Sequence, residues 1–131
     1  MTTDTDTLRA AAALLRQRAG AATSGPWRAY HGPEHADEAI VTYDDDLSIA
    51  LCGEEHEPQF TDGDAEHIAS LHPLVAFSLA PLLEQLAGRA DMVTASVKSP
   101  QLAAAVVGSH IVGYVEAVRF ARAYLGEEEP T

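Results

Sequence analysis

The sequence predicts a small α+β domain with an N-terminal helix and a three-stranded antiparallel meander. Two or three further helices follow, ending in a long apolar C-terminal one. Three observations carry that expectation. Apolar residues recur at helical spacing from Leu8 to Ala19. Short period-two runs broken by acidic, Gly and Pro residues occupy Trp27 to Cys52. A nearly unbroken apolar stretch then follows Ser99-Pro100. The length of 131 residues predicts a single domain, 1–131. A chain of this size can bury roughly two-thirds of its unfolded surface and needs no disulfide or metal to hold a core. Its one cysteine excludes an intrachain disulfide framework.

In the first helix, predicted over 6–20, Leu8, Ala12, Leu15 and Ala19 form one face. Thr3 or Thr5 can cap it, Asp4 and Asp6 suit its positive end, and Gly20 offers a stop. The meander is predicted over 27–52, as strands Trp27 to Tyr30, Ala39 to Tyr43 and Leu47 to Cys52. Trp27, after a Gly-Pro turn, reads as a structural anchor between the sheet and the first helix. A helix over 62–72 has Asp64 and Glu66 in its first turn and is ended by Pro73. The next, 73–88, is strongly apolar, with a kink expected at Pro81 and a stop at Gly88. Asp91 to Lys98 reads either as a helical turn or as a linker.

Ser99-Pro100 and Gly126 bracket the last helix, 100–125, which as one rod would be roughly 39 Å long. Val107, Ile111, Tyr114, Val118, Ala121 and Leu125 repeat as a heptad seam. Gly108, Gly113 and Ala117 would let a second backbone approach closely. So much apolar helix exceeds what the rest of the chain can surround, which points to self-association.

The net charge is −12, from 20 acids and 8 bases. Residues 23–72 hold twelve of the acids against Arg28 alone, together with five of the six histidines. That balance disfavours direct nucleic-acid binding, which needs clustered Lys and Arg, and docking on anionic lipid. The polar, acidic N-terminus is unlike a secretory peptide. Ser99 to Val115 is uncharged for seventeen residues but includes Gln101, Ser109 and His110. It falls short of the ~20 apolar residues of a membrane span. The expected setting is cytoplasmic.

His31, His35, Cys52, His56 and His67, amid acids, are ligand types that zinc or nickel accepts. Their spacing matches no established metal motif, and solvated loop residues produce the same pattern. Asp64, His67 and His72 could instead form an acid–base site, Asp64 and His67 lying on adjacent turns of one face. The serines sit in no nucleophile elbow and the glycines are dispersed singly, so no catalytic residue is assigned.

Thr23-Ser24-Gly25-Pro26-Trp27 resembles the A-T-P-G-P-W segment of short actinobacterial and actinophage proteins of unknown function. Asp64-Ala65-Glu66-His67-Ile68-Ala69 followed by Pro73 resembles their D-A-x-x-I-A…P segment, and a similar pairing occurs in the ead-type proteins of lambdoid phages. The likeness covers Leu8 to Ala87, with Ser24 in place of the usual proline. It implies a bacterial or phage cytosolic setting and carries over no catalytic residue.

The function expected from these observations is a non-enzymatic, self-associating protein–protein interaction module. Val107, Ile111, Tyr114, Val118 and Leu125 form the interface, and the acidic segment 34–66 faces outward. The partner is a second copy, giving a homo-oligomer such as a dimer, or another protein. Two alternatives stand beside it. One is a metal-binding protein or metal-dependent enzyme built on 31–72, and the other an acidic mimic of DNA.

Overall fold

The structure, a computed structural model, describes residues 2–29, 38–42, 48–51 and 62–127. Its elements in chain order are α1 (Asp4–Ala21), β1 (Trp27–Ala29), β2 (Glu38–Thr42), β3 (Ser48–Leu51), α2 (Asp62–Ser70), α3 (Pro73–Ser96), α4 (Pro100–His110) and α5 (Tyr114–Leu125). The helices run 18, 9, 24, 11 and 12 residues and the strands only 3, 5 and 4.

The chain is therefore mostly helical, which overturns the expected α+β class. The three-stranded meander expected over 27–52 as one half of the fold does not materialise on that scale. What stands there are short antiparallel ladders, Trp27 to Ala29 against Ile40 to Thr42, then an irregular pairing of β2 with β3. The physical reason lies in the core. Ile40 is buried in a small cluster with Ala65 and Ala69, and helices supply the other buried apolar residues among those described.

Two compact units make up the chain: residues 1–16 with 78–131, and residues 17–77. In the first unit, α1 and α3 lie side by side. Arg9 pairs with Asp91 and Arg16 with Glu84, so seven residues forward on α1 match seven residues back on α3. The two segments are antiparallel. Leu8, Ala11, Ala12 and Leu15 of α1 are buried, as are Ala80, Leu83, Leu86, Ala87 and Ala90 of α3. Alanine at most of these places keeps the packed surfaces small and shallow.

The start of α1 is held by a reciprocal cap. The Asp6 amide donates to the Thr3 hydroxyl at 3.1 Å and the Thr3 amide donates to the Asp6 carboxylate at 3.1 Å. Thr3 thus acts as N-cap, with Asp6 in the place that Glu or Gln takes in a capping box. The Thr3 hydroxyl and then its amide hold the Asp6 carboxyl below the usual carboxylate range.

Gly88 does not end α3, contrary to the sequence expectation. A helical glycine costs only about 1 kcal/mol relative to alanine. Burial of Leu86, Ala87 and Ala90 on either side outweighs that cost, and the helix continues through the undecided stretch to Ser96. It also runs through Pro81, which offers no N–H to the carbonyl one turn back.

The long C-terminal helix expected over 100–125 is broken. Ser99 caps α4 as its sequence suggests, its hydroxyl accepting from the Leu102 amide at 3.3 Å. The helix then stops at His110, and α5 begins at Tyr114 after a bend of 95°. Gly113 sits at φ +80°, a left-handed conformation that only glycine adopts without strain. With the rod broken, Ala103, Val107, Tyr114, Val118 and Ala121 are buried in the unit, while Leu102, Val112, Val115 and Phe120 stay exposed.

In the second unit, Ile40, Ala65 and Ala69 form a small buried cluster against which Trp27 and Ala29 pack. Trp27 is half-buried, and its indole N–H donates to the Thr23 carbonyl at 3.0 Å. It anchors β1 on α2. Gly25 lies directly against His72, where a Cβ would stand 2.7 Å from the imidazole Nδ1. That nitrogen is buried without a hydrogen-bond partner among the described residues.

Candidate functional site

The first unit contains a cleft of about 610 Å³, built from four segments distant in sequence. Thr3, Asp4 and Thr5 come from the start of α1, and Ala90, Asp91 and Thr94 from the end of α3. The remaining walls belong to α4, through Ala103, Val107 and Gly108, and to α5, through Tyr114, Val118, Arg119 and Arg122. Ala90, Ala103, Val107 and Val118 are buried and form an apolar floor.

Charge on the lining is arranged in pairs. Arg122 donates to the Asp4 carboxylate at 2.7 Å, with the two side chains 30% and 48% exposed. Asp91 is engaged by Arg9. Tyr114 is 6% exposed, and its hydroxyl makes no hydrogen bond among the described residues. Burial, assisted by the charges of Asp4 and Asp91, pushes its phenol above the ordinary tyrosine value. At neutral pH it is therefore an uncharged donor beside two carboxylates.

A second feature lies in the other unit, at the corner where α2 gives way to α3. Ile68, Leu71, Leu74, Val75 and Phe77 are 36% to 60% exposed within ten residues of chain. From His67 to Leu83 there is no Asp, Glu, Lys or Arg. Clustered, uncharged and solvent-facing, these side chains differ from singly scattered surface apolar residues, which need no explanation.

The structure places the sequence-predicted residues as follows. His31, His35, Cys52 and His56 lie outside the described residues, as does most of the acidic segment. His67 is exposed on α2. No three His, Cys, Asp or Glu side chains converge among the described residues in a way that could hold a metal ion. The seam expected to meet a partner is drawn inward. Val107, Tyr114 and Val118 are each 6% exposed, while Ile111 and Leu125 are half-buried. The 95° bend is the cause, because it turns one heptad stripe into two short faces packed inside the unit. His110 is exposed and meets the Ser109 hydroxyl at 2.7 Å.

Among the described residues, no single helix is long and apolar enough to cross a membrane; α4 and α5 have the composition only when taken together across their bend. Sequence reasoning missed the cleft because its walls come from residues 3–5, 90–94, 100–108 and 114–122, with no motif in any one of them. The apolar corner was legible as the run Leu71 to Leu83, which reads more naturally as buried helix. In comparison with known proteins, no family model, no curated protein and no solved structure matches the chain.

Proposed function

We propose that this protein is a non-enzymatic interaction module that self-associates through the corner between α2 and α3. The observation that carries this reading is the exposure of Ile68, Leu71, Leu74, Val75 and Phe77 in a stretch without a charged residue. The choice of a second copy as partner follows from charge. Two chains of net −12 repel one another as wholes, most of the excess acid lying in residues 23–72. At this corner the segment from His67 to Leu83, which itself carries no Asp, Glu, Lys or Arg, can meet its copy across a two-fold axis through apolar contact. A partner drawn by electrostatics would be basic, and would seek acidic surface rather than this one.

Light scattering and sedimentation from low to high micromolar concentration test the proposal. The wild-type chain is expected to form a dimer or higher oligomer. Leu74→Asp with Phe77→Asp is expected to shift it to monomer while the helical circular dichroism is retained, both side chains being about half exposed. A wild-type chain that stays monomeric throughout, or an oligomer indifferent to the paired substitution, refutes the reading.

A further inference from the structure

The cleft in the first unit offers a recognition problem independent of self-association. At about 610 Å³ it lies within the roughly 300–1,000 Å³ of small-molecule sites. Its floor of Ala90, Ala103, Val107 and Val118 is apolar. Its charged lining residues are two acids, Asp4 and Asp91, and two bases, Arg119 and Arg122, which cancel. A locally neutral but internally polarised cleft on a chain of net −12 is selective in a definite way.

We propose that this cleft binds a small zwitterion of amino-acid or dipeptide size. Its carboxylate lies on Arg122, its ammonium on Asp4, and its apolar side chain on the alanine and valine floor. The Arg122–Asp4 pair, at 2.7 Å and partly exposed, is the element that opens. A zwitterion replaces that one ion pair with two, so neither protein charge is stranded. A simple carboxylate would leave Asp4 without its cation and would also approach against the net charge of the chain. A simple amine would leave Arg122 unpaired. Arg122 and Asp4 are 30% and 48% exposed, so water softens a stranded charge, and the two matched contacts of the zwitterion are what separate the three ligand classes. The unpartnered hydroxyl of Tyr114 supplies a further polar contact at the wall of the cleft.

Calorimetric titration of the full chain with four probes tests this: L-leucine, alanyl-leucine, 4-methylpentanoate and isopentylamine. The first two carry both charges and the last two carry one each on a similar apolar body. At least one zwitterion is expected to bind with a micromolar to low-millimolar Kd, at least tenfold tighter than either single-charge analogue. Arg122→Gln and Asp4→Asn are each expected to weaken that binding about tenfold. Absence of heat with both zwitterions at tens of millimolar overturns the proposal, as does equal binding of a single-charge analogue. The probe series on the wild-type chain decides the matter even if a variant folds poorly. The Leu74→Asp, Phe77→Asp chain should retain the binding, which separates this outcome from that of the self-association test.

Discussion

Among the glycines whose surroundings the structure describes, Gly25 is the one where an added Cβ would collide with a neighbour, His72, and Gly25→Ala tests that contact directly. The added Cβ would stand 2.7 Å from Nδ1, 3.2 Å from Cγ and 3.4 Å from Cβ of His72. Ordinary contact between such atoms is about 3.5 Å or more. The ring must therefore recede by most of an ångström. Rotation about Cβ–Cγ can swing Nδ1 away but leaves Cγ at 3.2 Å, so full relief also needs movement about Cα–Cβ or of the backbone. Overpacking of this kind costs about 1–3 kcal/mol. For a chain of this length 1 kcal/mol corresponds to roughly 3–5 °C, so Tm is expected to fall by roughly 3–15 °C.

Urea unfolding of the wild type, Gly25→Ala, His72→Ala and the double variant closes a thermodynamic cycle around the contact. With the imidazole gone, the residue-25 methyl meets empty space. Alanine there should cost nothing, or gain about 0.4–1 kcal/mol by restricting the unfolded chain. The expected coupling is at least about 1 kcal/mol. An equal loss from Gly25→Ala in both backgrounds would refute the reasoning, because the penalty would then lie in the backbone of residue 25 and not in His72.

Other expectations follow from particular residues. His72→Leu removes the buried, unpartnered Nδ1 while keeping a branched side chain against Gly25, and should raise stability by about 1 kcal/mol in the same urea assay. Gly88 and Gly113 should respond in opposite directions, since a Cβ at either meets nothing within 4 Å. Alanine at 88 gains about 1 kcal/mol of helix propensity, whereas alanine at 113 loses about 1 kcal/mol to its φ of +80°. Glu84 is held below the usual carboxylate range by its hydrogen bonds from Arg16, and Asp6 by those from Thr3. A depressed folded-state value means that their stabilisation is complete above the ordinary carboxylate range and is lost as pH falls through it. Glu84→Gln and Asp6→Asn should each flatten the acid limb of a Tm-versus-pH curve. Tyr114 is raised by burial and by Asp4 and Asp91, so its share of the ultraviolet phenolate signal should appear late in an alkaline titration. That late component should vanish in Tyr114→Phe.

How much of this was legible in the sequence depends on the range of the interaction involved. The α1 stripe of Leu8, Ala12, Leu15 and Ala19 is buried as its spacing predicts, and the Ser99 cap is local enough to read directly. Both are settled within one or two turns of chain. Gly88 and Gly113 show where local reading fails. The two glycines look alike in sequence, yet α3 passes through one while the chain turns at the other. The difference is that Leu86, Ala87 and Ala90 hold Gly88 in register, whereas the residues just before Gly113, His110 and Val112, are exposed. Of the heptad seam from Val107 to Leu125, Val107, Tyr114 and Val118 are buried within the unit, because the bend at Gly113 is set by residues beyond the seam's own spacing. The cleft required knowing that α1 and α3 run antiparallel, which only the pairings of Arg9 and Arg16 reveal. The α+β expectation gave short period-two runs too much weight against the helix-forming bulk of the chain.

The alanine content of the core reaches beyond packing. Ten of the eighteen buried apolar residues among those described are alanine, which has no rotamers to lose on folding. Each such position is limited from above by the neighbouring backbone and from below by glycine's cost in a helix. The tolerated alphabet there shrinks to a few small residues while the outer faces are free to drift. Divergent relatives of this chain should therefore share little ordinary sequence similarity, yet preserve a register of small residues at the spacing of Ala80, Ala87 and Ala90. A search built on residue volume at those intervals is better matched to this molecule than one built on residue identity.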